Sequence, residues 1–165
     1  MKSSDLARAI GVSRQQLSYV ITGARELNLP LALIIESYFN LPEGKLVKWQ
    51  AEDNVKSYKE KLKHSLAVEL IEKNAFWSYS SVKPEDIADE DLIEKTFVHL
   101  DMPQISKLFE IYGHQYLKLV WKERLAIQGD YMYNLNIMIA MFYFDIRKPE
   151  RYLKRIENEH IRKYA

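Results

Sequence analysis

The chain contains no cysteine. Disulfides, thiolate zinc sites and cysteine nucleophiles are therefore excluded. Glycine and proline are scarce, five of each in 165 residues, so chain breaks are few and a mostly helical protein is expected. Charge of one sign is also lacking: 24 basic residues meet 23 acidic ones, for a net +1. Any contact with a polyanion must then come from a local patch. No apolar run is long enough to span a bilayer. The start, MKSSDLARAI, lacks the apolar stretch of a signal peptide. A soluble cytoplasmic protein with no membrane contact is expected. What is abundant is apolar side chain, at 47%, with 12% aromatic. That content supports a buried core in one medium or two small domains and argues against disorder.

Catalytic motifs are also missing. His64, His99, His114 and His160 form no His-Glu-x-x-His pattern and no zinc spacing. There is no phosphate-cradling glycine loop and no nucleophile elbow. The acidic run EDIADEDLIE lacks the spacing and central glycine of a calcium loop. His99 with Asp101 is the one conceivable acid–base pair, and a helix-capping Asp beside an ordinary His is the commoner explanation. The expectation is a non-enzyme with no cofactor and no metal.

The chain divides by texture. Residues 3–50 read as short helical segments split by Gly11, Gly23, Pro30 and Pro42. Across the charged stretch that follows, Val55, Tyr58, Leu62, Leu66 and Leu70 recur at three- and four-residue spacing, a helical stripe. It predicts a long amphipathic helix from Pro42 or Glu43 to Lys73, with Asn54 as the candidate break, that also suits pairing with a second copy. Beyond Ala75 the pattern is helical and aromatic. Asp89 and Asp101 are candidate caps, with Pro103 in a first turn and Gly113 past a helix end. YNLNIMIAMFYF is apolar nearly all round and predicts a buried central helix. Pro149 starts the last helix. FWSYSSV, residues 76–82, is the one candidate extended segment. The domain reading is 1–52, then a connecting helix over 53–74, then a helical domain over 75–165.

AIGVSRQQLSYVITGAR, residues 9–25, carries the densest signal. Leu6, Ala7 and Ile10 line one face of a short helix, and Ala7 is small where a second helix must cross. Gly11 sits where a positive φ is needed. Ser13 with Gln16 forms a capping box at the start of the second helix. Leu17 and Val20 then face the first helix, and Gly23 ends the second. At roughly 100° per residue, Arg14, Gln15, Ser18, Tyr19 and Thr22 share one exposed arc of about 140°. Gln16, Leu17, Val20 and Ile21 fill the remainder. The exposed set suits base edges: Arg forks onto guanine, Gln pairs with adenine, and Ser or Tyr donates or accepts. Arg25, just past the helix, is within reach of a phosphate. The competing reading is a helical hairpin that never touches DNA.

DLARAIGVSRQQLSYVITGAR, followed by LPLALIIESYFNLPEGKLVKWQ, resembles the Cro/repressor (XRE) class of helix-turn-helix. It most resembles the HigA-type antitoxin branch, with Pro42, Glu43, Trp49 and Gln50 at the matching places. The likeness covers residues 3–55. It implies an all-α chain with a lambda-repressor-like N-terminal domain, joined by a long helix to a C-terminal helical bundle. It also implies a double-stranded DNA operator read by Arg14, Gln15, Ser18, Tyr19, Thr22 and Arg25, and a homodimer on inverted half-sites about 34 Å apart. Members of the class carry a helix before the equivalent of Ser3, which is expected to be absent here. Its loss would expose Leu6, Ile10 and Ile34; the C-terminal helices, or the long connecting helix of a second subunit, are the predicted cover, with the stripe Val55, Tyr58, Leu62, Leu66 as the best candidate.

The second half faintly resembles helical modules attached to bacterial helix-turn-helix regulators, some of them antitoxin-like. That likeness favours a partner-binding role, with a toxin protein as the implied partner. Phe76, Trp77 and Tyr79 are the candidate docking patch, although clustered aromatics are more often core. The overall expectation is a DNA-binding transcriptional regulator, an antitoxin-like autorepressor acting as a dimer. The alternative is a protein-interaction or antitoxin module that does not bind DNA.

Overall fold

The computed structural model describes residues 2–77 and 82–164, with only the backbone of Tyr164. Every regular element among the described residues is helical: α1 (Ser3–Ala9), α2 (Arg14–Ile21), α3 (Leu29–Tyr38), α4 (Lys45–Glu72), α5 (Asp89–His99), α6 (Met102–Ile111), α7 (His114–Val120), α8 (Tyr133–Phe142) and α9 (Pro149–Tyr164). The all-α expectation holds, with a helical hairpin at the start and a helical C-terminal region. The chain forms two compact units, 1–58 and 59–165. Their boundary lies inside α4, so the segment 53–74 is not a separate connector. Its second half carries Leu66, Ala67 and Leu70 into the core of the second unit.

The helix ends follow local chemistry. After α1, the Val12 N–H bonds the Ala7 carbonyl at 3.0 Å and the Gly11 N–H bonds that of Arg8. This paired closure needs a left-handed residue between helix and exit, and Gly11 supplies it at φ +71°. The same closure ends α3 and α4 through Asn40 and Asn74, both at positive φ. Asparagine tolerates that region better than most side chains. Ser13 caps α2, its Oγ accepting the Gln16 N–H at 3.1 Å, and Asn28 caps α3 through the Leu31 N–H at 3.0 Å. Pro30 thus sits in the first turn of α3 rather than breaking a helix, where its missing N–H costs nothing.

The first unit has a small core of Ala7, Leu17, Leu31 and Ala32. Ala7 lies at the α1–α2 packing, as its size predicts. One buried charge organises the rest. Glu36, 1% exposed, accepts the Gly44 N–H at 2.7 Å and the Leu46 N–H at 2.6 Å. A carboxylate at a helix N-terminus satisfies orphan donors and meets the positive end of the helix dipole. Glu36 therefore fixes where α4 begins. Asn54, the expected weak point, is instead a junction: it accepts from Gln50 at 3.0 Å and donates to Glu26 at 2.9 Å. Gln50 in turn accepts the Leu27 N–H at 3.4 Å. The helix runs unbroken because this polar set ties it to the α2–α3 loop.

Of the stripe Val55, Tyr58, Leu62 and Leu66, the first two are exposed, while Leu66 is in the core of the second unit and Leu62 is half-buried against it. Leu6 and Ile10 are half-buried and Ile34 is exposed. Ile21, assigned to the inner side of α2, is also exposed.

The second unit packs around α7 and the wide π turn, residues 121–125, that continues it. Leu117, Val120, Trp121 and Leu125 are all buried. The π turn is closed by the Ala126 N–H on the Trp121 carbonyl at 2.9 Å. Asn136, buried on α8, joins its two ends: it accepts the Trp121 indole N–H at 2.8 Å and donates to the Leu125 carbonyl at 2.9 Å. The central helix is thus α7, not α8. Only one side of α8 is buried, at Asn136, Ile139 and Ala140. Met141 is exposed and Phe142 is 69% exposed. A helix apolar on all sides fits either a buried centre or a helix with an open face, and α8 is the second kind.

The acidic run starts α5. Asp89, Glu90 and Asp91 occupy its first turn, with Ala88 as the cap rather than Asp89. Carboxylates there complement the helix dipole, and each grips a neighbour. Asp89 accepts from Lys63 at 2.8 Å and from the Tyr112 hydroxyl at 2.7 Å. Glu90 accepts from the Tyr116 hydroxyl at 2.7 Å, and Asp91 pairs with Arg124. Burial alone would push the Asp89 carboxyl up. The bonds from Lys63 and Tyr112, with the Lys63 charge, bring it below its ordinary value. The bond to Glu90 is the main cause that pushes the Tyr116 phenol up to about 12.

Gly113 falls just past the end of α6, as expected. It is the extended residue before α7, at φ −69°. Asp101 precedes α6 without a side-chain cap bond.

Candidate nucleic-acid interface

The outer side of α2 carries four of the six expected readers, and its C-terminal cap, Thr22, is a fifth. Arg14, Gln15, Ser18, Tyr19 and Thr22 are all exposed. Leu17, 2% exposed, anchors the opposite side. A short helix fixed by one buried leucine, a serine cap and a glycine exit presents its outer side chains from a rigid base.

Three of the readers form one cluster. The Gln15 amide donates to the Tyr19 hydroxyl at 2.8 Å. The Arg25 guanidinium lies over the Tyr19 ring, 5.2 Å from its centre. The Arg25 backbone N–H also bonds the Tyr19 carbonyl at 3.0 Å, so the turn itself delivers Arg25 to the helix. Gln15 still has a free amide oxygen, and the guanidinium keeps its fork of donors. Arg14 and Ser18 have no side-chain partner among the described residues. Thr22 is turned inward instead: its hydroxyl donates to the Ser18 carbonyl at 2.9 Å. It keeps acceptor capacity only, which narrows what it can read.

Sequence reasoning missed the wall beside this cluster. A cleft of about 400 Å³ runs along α2, lined by Gln15, Tyr19 and Arg25 and also by Glu26 and Asn28. The last two lie in the α2–α3 connection, where helical periodicity gives no signal. Asn28 alone was traceable, as a cap two residues before Pro30.

The other candidate residues separate. Phe76, 8% exposed, joins the core of the second unit, whereas Trp77 is 79% exposed. Tyr79 lies outside the described residues. Phe76 is therefore removed from the proposed docking patch, since its ring is already packed. His99 ends α5 and Asp101 precedes α6, and no hydrogen bond joins them among the described residues. Burial, then the Lys95 and Lys73 charges, hold the His99 imidazole below its ordinary value. No helix among the described residues is long and apolar enough to cross a membrane.

A family model described as helix-turn-helix, of the XRE type, matches residues 1–46. The match spans α1 to the start of α4 and supports a DNA-binding regulator of that type. No curated protein and no solved structure matches the chain.

Proposed function

We propose that this chain is a sequence-specific DNA-binding transcriptional regulator whose α2 enters the major groove. The observation that carries the reading is the outward row Arg14, Gln15, Ser18 and Tyr19 on a helix held by buried Leu17. Arginine and glutamine at the start of such a helix meet base edges, and Arg25 behind them meets the backbone. The XRE-type match over residues 1–46 supports it. The finer reading is an antitoxin-like autorepressor, cytoplasmic and homodimeric, that acts by binding rather than by catalysis. A retardation assay on the DNA upstream of its own gene tests it. A specific shift that Arg14→Ala with Gln15→Ala abolishes is the expected result.

A second reading has its own support. Trp77, Tyr131, Met141 and Phe142 are large, apolar and exposed in the second unit. Such residues favour a partner protein, for which a toxin is the proposed candidate. Co-expression with the product of the neighbouring gene, followed by co-purification, tests that role.

A further inference from the structure

An open cleft of about 640 Å³ in the second unit is lined by Ile146, Arg147, Lys148, Arg151, Tyr152 and Arg155. Four of the six residues are cations and none is a carboxylate, in a chain whose net charge is only +1. Arg147, Lys148 and Arg151 have no ion-pair partner among the described residues. Arg155 has one, an exposed contact with Glu159 at 3.6 Å. Gathering like charges costs free energy that a counter-charge recovers.

The base of the cleft is fixed. The Tyr152 ring stacks on buried Trp121 with ring centres 6.2 Å apart and planes 6° from parallel. Arg155 lies 5.0 Å from the centre of the Tyr152 ring, and the Lys118 ammonium lies 5.8 Å from it. Leu153 and Ile156 of α9 are buried in the core. The face of α9 that carries these two residues is therefore closed to a bilayer, and Arg151 and Arg155 are held outward on a packed element. Arg151 and Arg155 are one helical turn apart, about 6 Å along the axis. Three of the four cations are arginine, whose planar fork suits phosphate oxygens.

We infer that this cleft is a second nucleic-acid contact, which holds the phosphate backbone of duplex DNA without reading its bases. The inference rests on the reading of the chain as a duplex-binding protein. It assigns discrimination to α2 and sequence-independent grip to Arg147, Lys148, Arg151 and Arg155.

The test uses the full chain, a 30-base-pair duplex from upstream of its gene and a scrambled duplex of equal length. Affinity is measured between 50 and 200 mM salt. Each phosphate contact adds about 0.9 to the slope of log affinity against log salt. R147A/R151A/R155A should therefore lower the slope by about 3 on both duplexes. Over that salt range the wild type should lose about 40-fold more affinity than the variant. R147K/R151K/R155K should retain the slope, and both triple variants should keep the wild-type melting temperature. R14A/Q15A should instead erase the preference for the upstream duplex and leave most of the slope.

An unchanged slope in the alanine triple variant, with discrimination lost in R14A/Q15A, overturns the cleft and spares α2. The reverse pattern spares the cleft and overturns α2. No binding of either duplex by the wild type overturns both. Vesicles of phosphatidylserine and phosphatidylcholine form a further arm. Vesicle binding lost in the alanine triple variant, with duplex binding intact, assigns the cleft to lipid headgroups and overturns the nucleic-acid proposal.

Discussion

The guanidinium of Arg25 rests over the ring of Tyr19, six residues earlier, with 5.2 Å from carbon to ring centre. The same ring's hydroxyl accepts the Gln15 amide at 2.8 Å. One tyrosine thus orients two residues for which opposite tasks are proposed, reading a base and gripping a phosphate.

Tyr19→Ala is expected to weaken specific DNA binding by about 1–3 kcal/mol, through release of both neighbours. Folding should move by no more than about 0.5 kcal/mol, because the site is on the surface. Tyr19→Phe keeps the ring under Arg25 and loses only the bond to Gln15, so its loss should be smaller. Titration of each variant with the upstream duplex at fixed salt checks the order.

Leu17→Ala should destabilise the first unit by about 2–5 kcal/mol, the usual cost of emptying a buried leucine site. Urea unfolding read by circular dichroism measures it. A near-neutral midpoint would mean that α1 and α2 are not held by this contact.

The hairpin was legible because each of its signals is local. A serine cap, a glycine exit and a leucine four residues into α2 act within one or two turns. What the sequence could not reveal depended on distant partners. Phe76 and Trp77 are adjacent aromatics, yet one is core and the other exposed, and that choice is made by helices far along the chain. The open face of α8 is hidden for the same reason: apolarity on all sides does not say which side packs. Asn54 looked like a break because asparagine is a weak helix former. Its partners Glu26 and Gln50 make it a fastening. The basic cleft was missed because two of its cations precede α9 and two lie on it, so no single helical face contains them.

Glu36→Ala should leave the Gly44 and Leu46 N–H groups without their acceptor. A cost of about 1–3 kcal/mol is expected, the range for a buried donor left unpaired. Hydrogen exchange should accelerate first at the start of α4. Uniform acceleration across the first unit would instead mean that Glu36 supports the whole core.

Asn136→Ala would strand the Trp121 indole N–H and remove one of the Leu125 carbonyl's donors. A loss of about 1–3 kcal/mol per stranded group is expected. Tryptophan fluorescence during denaturant unfolding gives the value. Protection should fall mainly across residues 121–126, the π turn that Asn136 closes.

The Asp89 carboxyl sits below its ordinary value of 3.8 in the folded chain. Its proton therefore binds the unfolded state more tightly, and the sign follows. The stabilisation is present above pH 3.8 and is lost as pH falls through the lower folded value. Acid unfolding of wild type should show this loss, and Asp89→Asn should flatten the pH dependence in that window. A curve of identical shape in the variant would remove Asp89 from the acid response.

The central claim is that α2 reads DNA. The most direct measurement is the ratio of affinities for the upstream and scrambled duplexes, wild type against Arg14→Ala/Gln15→Ala, at one salt concentration. The account predicts a clear preference in the wild type that falls toward unity in the double variant, with the melting temperature unchanged. An equal preference in both proteins, or none in the wild type, would contradict it.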